Sequence, residues 1–219
     1  MSAPLRTPRR VPRRRAPPRR RQLGLEFRTW GGKRAGAGRK PVGARPGVCH
    51  RPRPELPRRL PIHVTLRMAP AVYNLRSRRS FRVIEAALRL GADRFEVRTV
   101  SFSVLGNHIH LLVEAPSRTA LARAVKGLSV RIAKGLNRMM GRKGRVLGDR
   151  YHAHVLRTPT EVRRAIHYIR DNARKHAAER GDIYSPGYVD RYSSAGAPQV
   201  RLPAAQTWLL REGWKRGGP

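Results

Sequence analysis

The sequence predicts an α+β fold: a ferredoxin-like antiparallel sheet with helices packed on one face, preceded by a disordered basic arm. Three observations predict it. Short runs in which apolar and polar residues alternate read as half-buried strands. Longer runs with apolar residues every three or four positions read as amphipathic helices. In chain order these runs spell β-α-β-β-α-β followed by a further helix, a pattern that closes into an antiparallel sheet with helical cover.

Residues 1–59 hold 19 Lys and Arg against two acids, Glu26 and Glu55, with Pro and Gly throughout. Such a segment buries too little apolar surface to offset the entropy of ordering it, so it reads as a disordered arm. Within it, the stretch from Trp30 to Pro41 could lay arginines along a minor groove. Order is expected from Pro61, where Ile62-His63-Val64-Thr65-Leu66 alternates between the breakers Pro61 and Pro70. A helix from about Arg78 places Phe81, Ile84 and Leu88 on one face and stops at Gly91. Phe95 to Leu105 reads as a strand rich in Val and Phe, and Gly106-Asn107 turns it into a second strand, His108 to Glu114.

Ser117 suits a helix cap, and Leu121, Val125, Leu128, Ile132, Leu136 and Met139 then form one apolar stripe that runs to Met140 and Gly141. After the loop Gly141 to Arg145, a short strand is expected over Tyr151 to Arg157. Pro159 suits a first helical turn, and Val162, Ala165, Ile166, Ile169 and Ala173 carry that helix to about His176. Residues 60–178 therefore read as the folded domain. Residues 179–219 read as an irregular extension in which Trp208 and Trp214 anchor a docked segment.

Composition narrows the partner. The chain has 219 residues and 49 Lys and Arg against 13 Asp and Glu, a formal net charge of +36. That imbalance, with no run of 18 apolar residues, points to a polyanion and away from membrane insertion. Nucleic acid is the expected partner. One cysteine, Cys49, can form neither an internal disulfide nor a cysteine-rich zinc site. The N-terminus lacks the apolar core of a secretion signal, so a cytoplasmic, nucleoid-associated setting is expected.

The chemistry is carried by His108-Ile109-His110. Side chains alternate faces along a strand, so the two imidazoles point the same way and can share one metal ion while leaving most of its coordination sphere open. Tyr168 and Asn172 lie one helical turn apart on a common face. Asn172 can supply an amide oxygen as third protein ligand, and Tyr168 a nucleophile for a phosphodiester whose charge the cation would stabilise. A second pair, His152 and His154, competes for the metal role or could join the first as a four-histidine site. Its polar surroundings favour contact with nucleic acid for His152 and a supporting role behind the ligands for His154. A phosphate track is expected along Arg123, Lys126, Arg131 and Lys134 on the basic helix face and along Arg142, Lys143, Arg145 and Arg150 in the following loop. Tyr151, Phe102 and Trp30 are the aromatic platforms for base stacking.

The stretch from about His63 to His176 resembles the single-tyrosine HUH transposases, within them the IS200-like or REP-associated branch. The resemblance is carried by Phe102 to Glu114, by Gly148-Asp149-Arg150-Tyr151-His152, and by Tyr168-Ile169-Arg170-Asp171-Asn172. It differs at Ala173, where many REP-associated members have proline. The resemblance implies a metal-dependent endonuclease and strand transferase that cuts single-stranded DNA near hairpins, uses Mg2+ or Mn2+, and forms a 5′-phosphotyrosine. It gives His108, His110 and Asn172 the ligand roles and Tyr168 the nucleophile role, and it accommodates a homodimer. Relaxases share the histidine motif but place their tyrosines before it. The alternative is a non-catalytic DNA- or RNA-binding protein of the same fold.

Overall fold

Alternation along β1 (Pro61–Arg67) buries Ile62, Val64 and Leu66 on one face and leaves His63 and Thr65 on the other. The computed structural model from which this is read describes residues 55–57, 60–178, 181–185 and 187–218, so Trp30 and nearly all of the basic arm lie outside the described residues. β4 (His108–Glu114) repeats the alternation, with Ile109, Leu111 and Val113 on the core side and His108, His110, Leu112 and Glu114 on the reverse. The two strands pair antiparallel with His63 opposite Leu112 and Thr65 opposite His110, so their polar sets meet on one face. β3 (Val97–Val104) flanks β4, the two-residue β2 (Asp93–Arg94) flanks β3, and β5 (His152–Val155) flanks β1. The sheet order is β2-β3-β4-β1-β5, all neighbours antiparallel.

On the apolar face lie α1 (Arg78–Arg89) and α2 (Arg118–Met139), capped by the side chains of Ser77 and Ser117. The stripes expected on both helices are buried there against Ile62, Val64, Phe102, Val104, Ile109 and Leu111. The helices approach so closely at Gly135 that a Cβ there would collide with Val83 Cγ1. This is the ferredoxin-like arrangement. The third helix, α3 (Pro159–Ala178), covers the reverse face, where Val162, Ala165 and Ile169 pack with Leu112 and Leu156. Leu112 is the apolar position in an otherwise polar row of β4, and it gives α3 a seat directly beside the imidazoles. Thr158 and Glu161 form a reciprocal capping box around Pro159 that fixes where the helix starts.

The strand expected from Phe95 begins at Val97, because Phe95 and Glu96 both have positive φ (57° and 61°). Arg94 pairs with Val97 across them, which makes a tight primed hairpin turn out of residues with no turn signature. Among the described residues no helix is long and apolar enough to cross a membrane.

The C-terminal extension is stitched to the sheet. Backbone bonds from Val104 to Tyr192 and from Ser194 to Phe102 cover the edge of β3 that β2 is too short to protect. Asp190 grips Arg76 through both oxygens at 2.8 Å. Glu114, 2 % exposed, accepts from the backbone of Gln206 and Thr207 and from Arg98, tying down α4 (Trp208–Arg211). Leu209, Leu210 and Trp214 pack in the α3 cluster, whereas Trp208 stays half exposed. The docked segment expected around the tryptophans is therefore held by the leucines and Trp214.

Candidate active site

Three imidazoles stand in a row on the reverse face of the sheet. His108 and His110 come from alternate positions of β4, and His63 reaches in from β1. Ring centroids are 5.2 Å apart from His108 to His110 and 5.2 Å from His110 to His63. The phenol ring of Tyr168, on α3, stands edge-on to His110 at 5.1 Å and to His63 at 5.9 Å. At 37 % exposure it flanks the buried stripe of its helix and faces solvent on one side. One turn further along the same ridge is Asn172, and one turn beyond that His176, which lines a small cavity of about 200 Å³ with Arg76, Asn107 and His108. At the other end of the row His63, His154, Leu156, Arg164 and Tyr168 line a cavity of about 390 Å³.

The nitrogens are differentiated. Nδ1 of His108 bonds Asn107 Oδ1, an oxygen that only accepts, so Nδ1 carries the proton and the lone pair sits on Nε2. Nδ1 of His110 lies 3.1 Å from His63 Nε2 and 3.2 Å from Thr65 Oγ1, while its Nε2 is buried with no hydrogen-bond partner among the described residues. Asn172 is 1 % exposed, and neither its amide oxygen nor its nitrogen has a partner there. Buried polar atoms are ordinarily paired, so the unpartnered His110 Nε2 and Asn172 amide are the atoms on this side of the sheet that a ligand could satisfy. Imidazole nitrogens and an amide oxygen are donors that suit a divalent cation, so the residues fit a metal.

Electrostatics agree with that role, because a ligating imidazole must be neutral. Burial, reinforced by the neighbouring His152 and His154, lowers His63 to about 4. Burial, with His63, His108 and His176 close by, lowers His110 to about 3. His108 is lowered by burial and then by His176 and Arg67.

Of the sequence-predicted residues, His108, His110 and Tyr168 are brought into ring contact, and Asn172 lies buried one helical turn from Tyr168 on α3. His152 and His154 lie on the same face of edge strand β5, opposite Thr65 and His63, both exposed. No three His, Cys, Asp or Glu side chains among the described residues form a metal cage, so the four-histidine alternative is not realised. Arg123, Lys126 and Lys134 are exposed on α2 and Arg131 is half-buried, all on the helix layer behind the sheet, away from the imidazoles. Arg142 donates to the carbonyls of Ala71 and Arg145, and Arg145 to those of Leu147 and Gly148, so these two brace their own loop. Lys143 is exposed and Arg150 half-buried. Phe102 is fully buried in the core and cannot stack on a base, a correction that follows from its place on the helix-facing side of β3. Tyr151 packs, partly buried, against the same core. Sequence reasoning missed His63 and His176. The signal for His63 was its polar slot in an alternating strand, but only the β1–β4 register reveals that this slot adjoins His110.

No protein-family model and no curated protein matches the chain. Among solved structures it is similar to one described as a REP-associated tyrosine transposase bound to a REP hairpin, at 16 % identity and a TM-score of 0.49, covering 67 % of this chain and 82 % of that one. It is also similar to a structure from Deinococcus radiodurans R1 described as a candidate transposase, at 16 % identity and a TM-score of 0.39, covering 57 % of this chain and 92 % of that one.

Proposed function

We propose that the chain is a DNA strand transferase that cuts and rejoins single-stranded DNA through a phosphotyrosine at Tyr168. One observation carries the reading: an accessible phenol stands edge-on to a buried imidazole whose Nε2 is unpartnered among the described residues, one helical turn from an amide in the same condition. Mg2+ or Mn2+, when bound, would polarise the scissile phosphate and stabilise charge on its oxygens. His108, His110 and Asn172 would be the residues that hold it. Tyr168 gives up its phenolic proton as its oxygen bonds phosphorus. The bond from phosphorus to the 3′ oxygen breaks, and that oxygen takes a proton to leave as a hydroxyl. A 3′ hydroxyl attacking the 5′-phosphotyrosine runs the step backwards and releases the phenol, so rejoining needs no external energy source. The two cavities flanking the imidazole row give a strand crossing it room on both sides.

The net charge of +36 supplies the affinity for phosphate, with the exposed face of α2 as a second contact area for the rest of the DNA, such as a hairpin stem. The test is incubation of the protein with single-stranded hairpin oligonucleotides and Mn2+. A denaturant-stable adduct is expected, absent in Tyr168→Phe and at least 100-fold reduced in His110→Ala. Salt-sensitive binding without any adduct would instead establish the non-catalytic binding protein.

A further inference from the structure

We infer that the cavity at the end of β4 remote from His108 is a guanine-binding subsite that reads one base of the DNA, an inference that rests on the proposed single-stranded DNA substrate. The cavity has a volume of about 940 Å³, and Glu96, Arg98, Glu114, Gln206 and Trp208 are among the residues that line it. Arg98 on β3 stands opposite Glu114 on β4, and Glu114 belongs to the same row as His108 and His110, so this wall of the cavity is on the imidazole side of the sheet. At about 3.3 Å per residue, Glu114 is about 13 Å along the strand from His110.

Each wall supplies something a nucleobase needs. Arg98 donates from Nε to Glu114 at 3.0 Å, and that carboxylate is held in turn by the backbone of Gln206 and Thr207. The guanidinium is thereby fixed at its root, while among the described residues its two terminal nitrogens donate to nothing. It is a fork of donors aimed in advance. Glu96 is the complement, an exposed carboxylate that only accepts. Its φ of 61° is one that residues other than glycine rarely adopt, and the turn between Arg94 and Val97 holds it there. Trp208 adds a flat apolar wall, 52 % exposed. Its indole lies over Gly213, where a Cβ would come within 2.7 Å of Cζ3, so the missing side chain lets the ring take this place.

A phosphate suits the cavity poorly, because Glu96 and Glu114 outnumber Arg98 there, although the chain has 49 Lys and Arg against 13 acids. A neutral flat ring with donors and acceptors on its edge suits it well. Guanine alone among the DNA bases has two adjacent acceptors, O6 and N7, and beside them two adjacent donors, N1–H and the N2 amino group. Arg98 takes the first pair, Glu96 the second, and Trp208 stacks on the ring. Adenine would turn its N6 amino group toward the guanidinium, and thymine and cytosine each offer a single donor group.

The test is fluorescence anisotropy of the full chain with labelled oligothymidylate strands that carry one central guanine, adenine, 7-deazaguanine or hypoxanthine, all at one salt concentration. The wild type is expected to bind the guanine strand about 5- to 100-fold more tightly than the adenine strand. 7-Deazaguanine lacks the N7 acceptor and hypoxanthine the N2 amino group, so each should lose most of that preference. Arg98→Lys should abolish the preference. Because that change also touches the anchor of α4, the exposed Glu96 provides the second variant: Glu96→Gln should no longer distinguish guanine from hypoxanthine while still losing affinity for 7-deazaguanine. Equal affinity of the wild type for the guanine and adenine strands would overturn the inference, as would a guanine preference unchanged in both variants. Either result would leave the proposed function standing, since the adduct at Tyr168 is read separately. A guanine preference without any adduct would refute the strand-transferase reading and keep the subsite.

Discussion

An amide held at 1 % exposure with neither polar atom hydrogen-bonded among the described residues lowers the stability of a fold by about 1–3 kcal/mol. Asn172→Leu should therefore raise thermal stability in metal-free buffer, by several degrees, while abolishing adduct formation. The wild type should gain stability on adding Mn2+ and the variant should not, since only a ligand that prefers the native state shifts the melting point. Equal melting points for the two proteins without metal would argue that Asn172 is satisfied in solution. The imidazoles make a second residue-scale prediction. His63 and His110 titrate near 4 and 3 in the fold against 6.5 as free side chains, so below pH 6.5 the unfolded chain binds protons that the native one refuses. Stability is then full above pH 6.5 and declines as pH falls toward 4. Denaturation midpoints should be lower at pH 5 than at pH 7, with part of the slope missing in His63→Phe. His108, His110, Tyr168 and Asn172 are legible in the sequence because their relations are local: two positions along a strand, four along a helix. His63 is not, because its relation to His110 spans 47 residues and exists only through strand register.

At the scale of elements, the same local logic explains which boundaries are readable. Ser117 and Gly106-Asn107 mark their element ends by chemistry, and the structure uses them as such. Phe95 and Glu96 carry no such mark, so the hairpin from β2 to β3 is invisible in the sequence. Nor does the amphipathic pattern of α3 say which face of the sheet it covers; Leu112 decides that, by breaking the polar row of β4 beside the imidazoles. Two packing relations between elements can be tested. Gly135→Ala places a methyl against the stiff side chain of Val83, and should destabilise the fold by about 1–3 kcal/mol through overpacking of α1 on α2. Glu114 works differently. Burial opposes its ionisation but is outweighed by hydrogen bonds from Thr207, Gln206 and Arg98, so it titrates below its usual range and its contribution is lost as pH falls below 4.5. Glu114→Gln should loosen the C-terminal segment selectively, seen as faster hydrogen exchange over residues 206–214 with the sheet still protected.

Considered whole, the molecule presents two chemically different sides. The imidazoles, the phenol and the buried amide occupy the α3 side of the sheet, whereas the exposed cations of α2 lie on the opposite layer. Both sets of residues can be read from the sequence, and the composition indicates their shared anionic partner, but their separation depends on which face each helix takes. A substrate that uses both must reach around the sheet. Affinity for single-stranded DNA should fall steeply with salt. Replacing Arg123, Lys126 and Lys134 together by alanine should make the log–log salt slope shallower by about two units, at about 0.7 for each phosphate no longer neutralised. An unchanged slope would remove α2 from the DNA path. The covalent link between protein and DNA is the step on which the proposed chemistry depends, and peptide mass spectrometry reads it directly. After incubation with a hairpin oligonucleotide and Mn2+, nuclease digestion and trypsin, the peptide spanning residues 165–170 should carry a nucleotide bound through phosphate to Tyr168. Recovery of that peptide only in unmodified form, under conditions where the DNA is bound, would contradict it.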